Sequence, residues 1–90
     1  MGMALEVTSD VIAIVLARAA EAAPAECCGL LLGRGTRIGG AVAADNVSPD
    51  PLRRFEIDPG ALFAVHRAAR AGGPELLGYY HSHPQGHPLP

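Results

Sequence analysis

Aromatic side chains are scarce: Phe, Trp and Tyr together make up 4% of the 90 residues, and tryptophan is absent. A core must therefore be built from Ala, Val, Leu and Ile, and an apolar share of 49% is enough for a globular chain. Charge of one sign is also missing. A formal net charge of -2 leaves no basic field, which argues against a nucleic-acid partner. Arg53, Arg54, Arg67 and Arg70 read as solvated surface. Cysteine is limited to the neighbours Cys27 and Cys28. Adjacent strand residues point to opposite faces, so a disulfide between them would be strained, and neither belongs to a C-x-x-C pair. Both read as small apolar residues in a reducing compartment. No long uncharged apolar run exists. "VIAIVLARAAEAAPA" is preceded by Glu6 and Asp10 and interrupted by Arg18 and Glu21. It lacks the basic start of a signal peptide and is too short and too charged to span a membrane. These absences lead us to expect a cytoplasmic protein without nucleic-acid or membrane partners. The length suits one domain over residues 1–90 with a modest core.

Apolar periodicity marks the elements. Ile12, Val15, Leu16, Ala19 and Ala23 recur at helical spacing, which predicts a helix over 9–23 with Ser9 as N-cap and Pro24 as its stop. Asp10, Arg18 and Glu21 fall on the other side of that helix. "ECCGLLLGRG" reads as a buried strand, and Gly35-Thr36 as a tight turn into a second, antiparallel strand, "RIGGAVAADNVS". Gly39-Gly40 inside it suggests a bulge or a close backbone approach. After the loop "SPDP", the alternation in "RRFEI" predicts a third strand. Asp58-Pro59 supplies an N-cap and a first-turn proline for a helix over about 59–71, whose apolar face would hold Leu62, Val65, His66 and Ala69. Gly72-Gly73 ends it, and "ELLGYYHSH" reads as a final strand. The expected order is α-β-β-β-α-β, an α+β class with a mostly antiparallel sheet flanked by helices.

Four residues invite chemistry. His81 and His83 are one residue apart at the end of the last strand, so their imidazoles face one side and can share a zinc ion. Taken alone, an H-x-H is more often a pair of surface histidines. Ser82 points away, and Tyr79 shares the histidine face as packing beneath it. Glu26 opens the first strand. Its plain reading is a solvated strand-end carboxylate, and its functional reading is a general base beside a metal-bound water. His87, four residues past His83 among prolines and glycine, reads as an exposed loop histidine, with service as an extra ligand the alternative. His66 reads as a half-buried core histidine. Asp45, Asn46 and Ser48 either line a cleft or make a turn.

Together, "ECCGLLLG", a following Asn46, "FEIDP" and "LLGYYHSHP" resemble, in that order, the JAMM (JAB/MPN) zinc metallopeptidases, in their compact prokaryotic form. The resemblance covers nearly the whole chain and implies a cytidine-deaminase-like fold. It implies that Glu26 activates water, that His81 and His83 are two zinc ligands, and that the substrate is a protein or peptide. Compact members act at the C-terminal tails of ubiquitin-like or sulfur-carrier proteins. Asn46 matches an asparagine frequent in the family, without a catalytic role. The family pattern continues after H-x-H with seven residues, a serine, two residues and an aspartate. The seven residues from Pro84 to Pro90 fill that spacer, so the sequence carries the motif without its serine and third ligand. Two readings follow: a zinc peptidase or isopeptidase, and a metal-free binding or scaffold module of the same fold. Completion of the site by another chain is a further expectation, because open sheet edges allow self-association.

Overall fold

The computed structural model describes residues 5–83. A short strand β1 (Glu6–Val7) leads into helix α1 (Ser9–Ala22), the hairpin strands β2 (Cys28–Arg34) and β3 (Arg37–Ala44), helix α2 (Pro59–Arg70) and strand β4 (Glu75–His81). The four strands form one sheet in the order β1-β3-β2-β4. The β2 strand pairs antiparallel with both β3 and β4, whereas β1 runs parallel to β3. The sheet is therefore mixed, and the α+β class holds.

Two differences from the sequence reading concern strands. The β1 strand was not foreseen, since two residues carry no readable period. "RRFEI" does not form a strand: its strand-type pairing is limited to an isolated Asn46–Ile57 bridge. The cause is local. The carbonyl of Arg54 and the N–H of Glu56, which a partner strand would bond, are taken by the Asn46 side chain at 3.0 Å each.

The helices follow their caps. At α1 the cap is Thr8, whose hydroxyl accepts from the Val11 N–H at 3.4 Å, and Ser9 is the first helical residue. Its packed face is rotated by one residue from the expected stripe. Val11 is buried, with Val15, Arg18, Ala19 and Ala22 half-buried, whereas Ile12 and Leu16 are exposed. Arg18 sits on the packed side because its guanidinium donates to the Tyr80 hydroxyl at 2.9 Å, which satisfies both groups. At α2, Asp58 accepts from the Gly60 N–H at 3.2 Å and Pro59 starts the helix, as expected. Arg67 and Arg70 lie in its last turn, where the helix dipole favours cations. Gly72 follows at φ 97°, a conformation that suits glycine. Val65 is the buried residue of α2, and His66 is exposed rather than half-buried.

The core centres on β2. Leu30 is fully enclosed, and burial of such a side chain is worth about 1.5–3 kcal/mol. On the α1 face, the Tyr80 ring fills the space that a Cβ at Gly29 would need, so this strand position must be glycine for the tyrosine to lie there. Leu31, Val11, Val15 and Tyr80 line an apolar pocket beneath the helix. Among the described residues no helix is long and apolar enough to cross a membrane.

Candidate active site

The site lies where β2 begins and β4 ends. Because those strands are antiparallel with Cys28 opposite His81, continuing the register sets Cys27 beside Ser82 and Glu26 beside His83. Hydrogen bonds close this end. The Ser82 N–H donates to the Cys27 carbonyl at 3.0 Å, and the Cys27 N–H donates to the Ser82 hydroxyl at 2.8 Å. The serine inside H-x-H thus fastens the start of β2 to the end of β4 with both its backbone and its side chain.

Glu26 is not a solvated strand-end residue. Its side chain is 2% exposed, and Oε2 lies 3.3 Å from Nδ1 of His83, whose side chain is 55% exposed. That distance makes an ion pair when the imidazole is protonated, but Oε2 has no hydrogen-bond partner in the structure. Burying a carboxylate is costly, and a buried oxygen without a partner is exceptional in a native fold. Such an atom is explained most simply by a ligand or water that it faces.

The backbone of Glu26 is held as firmly as its carboxylate is left free. Its N–H donates to the Pro51 carbonyl at 2.8 Å, and its carbonyl accepts from Asn46 Nδ2 at 2.8 Å. His81 is oriented differently. Its ring stacks on Phe55 with centroids 4.3 Å apart and planes at 15°. Phe55, and not Tyr79, supplies the aromatic support, since Tyr79 is largely exposed. Sequence reading missed Phe55 because the "RRFEI" alternation gave no hint of a loop folding over the strand end. Both cysteines are free. Burial, with smaller contributions from Cys27 and Asp45, pushes the Cys28 thiol up, so it stays protonated and inert, as its small apolar reading requires.

Of the sequence-predicted site residues, Glu26 and His83 are brought together, and His81 stands two residue pairs along, opposite Cys28. His87 lies outside the described residues. Among the described residues, no three His, Cys, Asp or Glu side chains are placed to hold a metal. The donor chemistry nevertheless suits zinc in part: two imidazoles at a strand end, with a buried carboxylate oxygen aimed at one of them.

Known proteins resemble the chain over most of its length. Residues 8–90 match the family described as prokaryotic homologs of the JAB domain. The chain is 33% identical over 92 residues to a desampylase of Haloferax volcanii, covering 96% of this chain and 66% of that protein. It is 36% identical over 89 residues to a "Probable TtuB-protein conjugate cleaving protease" of Thermus thermophilus, covering 99% of this chain and 60% of that protein. The solution structure of protein DSY2949 from Desulfitobacterium hafniense superposes with a TM-score of 0.76 at 32% identity, over 89% of this chain and 57% of that one. The chain thus spans about three-fifths to two-thirds of the curated relatives it matches.

Proposed function

The chain belongs to the prokaryotic homologs of the JAB domain, and from that premise we propose that the protein is a zinc-dependent isopeptidase acting on protein conjugates. The substrate would be a protein joined through the C-terminal tail of a ubiquitin-like or sulfur-carrier protein, in a cytoplasmic setting. Support for the substrate class comes from two relatives, one named a desampylase and the other a TtuB-protein conjugate cleaving protease. The observation that carries the reading is the buried, unpartnered Oε2 of Glu26 beside His83.

His81 and His83 would hold the metal through their imidazoles. When bound, zinc would lower the pKa of a coordinated water towards neutrality and polarise the scissile carbonyl. Glu26 does the proton work. Its Oε2 makes no hydrogen bond in the structure and has His83 Nδ1 at 3.3 Å as its neighbour, so it can accept the proton of the attacking water and return it to the leaving amine. The fixed Glu26 backbone keeps that oxygen in place, which is where orientation contributes to rate.

The test uses the full-length protein and an isopeptide-linked conjugate of a ubiquitin-like protein. A chelator should abolish cleavage and added zinc should restore it. Glu26→Gln should lower kcat about a hundred- to ten-thousandfold while zinc binding persists. Full activity of Glu26→Gln, or a wild-type protein that binds no zinc, overturns the proposal. A protein that binds the conjugate without cleaving it is a scaffold of the same fold.

A further inference from the structure

The side chain of Asn46 makes four hydrogen bonds, and all of them go to backbone. Nδ2 donates to the Glu26 carbonyl at 2.8 Å and to the Arg54 carbonyl at 3.0 Å. Oδ1 accepts from the Ser48 N–H at 3.1 Å and from the Glu56 N–H at 3.0 Å. A primary amide offers two donors and accepts through one oxygen, so both of its donor hydrogens are used and its oxygen is shared. The partners are informative. Glu26 is the proposed base. Arg54 and Glu56 flank Phe55, whose ring stacks on His81. One amide therefore touches the backbone of the base on one side and brackets the residue that supports a histidine on the other.

We propose that Asn46 is a positioning residue that sets the distance and orientation between Glu26 and His81, acting through the Glu26 carbonyl and the Arg54–Glu56 backbone. No other side chain among the hydrogen bonds of the described residues reaches both parts. The 54–56 segment has no strand partner of its own; apart from this amide it is held by the Asn46–Ile57 bridge and by the Arg53 and Arg54 N–H groups, which donate to the Asp50 carbonyl. The Asn46 bonds are the side-chain hydrogen bonds on either side of Phe55, so the ring should shift when they are removed. The catalytic importance of that placement rests on the isopeptidase reading above. The placement itself does not.

The experiment separates the two. Asn46→Asp keeps Oδ1 for Ser48 and Glu56 but cannot donate to Glu26 or Arg54, Asn46→Ala removes all four bonds, and Phe55→Leu removes the stack alone. The first readout is the imidazole proton shifts of His81 and His83 in the metal-free full-length protein. Phe55→Leu identifies the upfield ring-current shift that the stacked phenyl imposes on His81. That shift should shrink in Asn46→Ala and in Asn46→Asp, with His83 less affected. The second readout is zinc affinity by competition with a chromophoric chelator, and the third is kcat against KM. Groups that orient ligands and catalytic side chains typically matter about ten- to a hundredfold. Affinity and kcat should fall by that factor in both Asn46 variants, with KM unchanged and the far-UV dichroism of Asn46→Asp like wild type. An unchanged His81 shift in a folded Asn46→Asp overturns the proposal, even if Glu26→Gln is dead. Failure of Glu26→Gln to lose activity overturns the isopeptidase reading, while a displaced His81 shift would still establish the positioning role. If Asn46→Ala does not fold, Asn46→Asp decides.

Discussion

The two ends of β2 are built on different terms. At the end that carries Glu26, pairing is regular on both flanks from Cys28 to Leu31, and side chains tie the backbone down: Asn46 on Glu26, Ser82 on Cys27. At the other end both flanks slip. Between Leu31 and Leu32, β4 skips Leu77, and between Leu32 and Gly33, β3 skips Gly39, so the strand passes two bulges at successive residues. Bulges bend a strand and increase its twist. The bulged end is joined to the α2–β4 turn by Arg34, which donates to the Gly72 carbonyl at 2.9 Å. It also borders an open, mostly apolar depression of about 430 Å³ lined by Leu32, Gly33, Arg37, Gly40 and Pro74. That hollow holds none of the residues that suit the chemistry. One end fixes a few polar atoms, and the other absorbs the twist that lets a short sheet wrap its helices.

This contrast can be broken from either side. The largest effect should come from Glu26→Gln, which on the isopeptidase reading should lower activity by the factor given above and leave the melting temperature within about 2 °C, because that oxygen loses no hydrogen bond and its 3.3 Å pairing is with a half-exposed histidine. Calorimetry alongside the cleavage assay checks both halves. Next comes Gly33→Ala. An added Cβ would overlap the Arg37 carbonyl oxygen, a backbone atom that cannot rotate away, so the cost should reach about 3 kcal/mol in denaturant unfolding. The folded fraction should keep wild-type zinc affinity. Gly29→Ala should cost about 1–2 kcal/mol, since the displaced atoms belong to the Tyr80 ring, which must also give up its bond to Arg18. Smallest is Gly39→Ala. Nothing lies within 4 Å of the new methyl, and the midpoint should stay the same or rise slightly. If Gly33→Ala proved as mild as Gly39→Ala, the far end would be loose rather than bulged for a reason.

Much of this arrangement was legible in the sequence, for reasons that are themselves local. The Asp58-Pro59 start of α2 and the Gly39 irregularity are spelled by residues whose backbone preferences act on their own. Glu26 and His83 were paired by motif, and the fold put them 3.3 Å apart. What was not legible depends on tertiary partners. Helical spacing set Arg18 with Asp10 and Glu21 opposite the apolar stripe, whereas in the structure its bond to the Tyr80 hydroxyl favours a half-buried position. The choice between Ile12 and Val11 as the inward residue is a rotation of about 100° about the helix axis, which a stripe of small apolar residues does not fix. "RRFEI" had strand-like alternation, yet the one side chain that could replace a strand neighbour, Asn46, lies eight residues or more upstream. Its fourfold bonding has no signature in composition or period.

The closure between Cys27 and Ser82 has a consequence for folding. Those residues are 55 apart in sequence, and the reciprocal bonds between them set Glu26 against His83. Bringing such distant segments together carries a loop-closure cost that only the completed β2–β4 pairing repays. Glu26 therefore has no histidine beside it in any partly folded chain that lacks this pairing. During synthesis the same holds until the ribosome has added residue 83 and β4 has docked. The proposed base and the imidazole it faces become neighbours only through that long-range pairing, so the candidate site exists only once the β2–β4 sheet does.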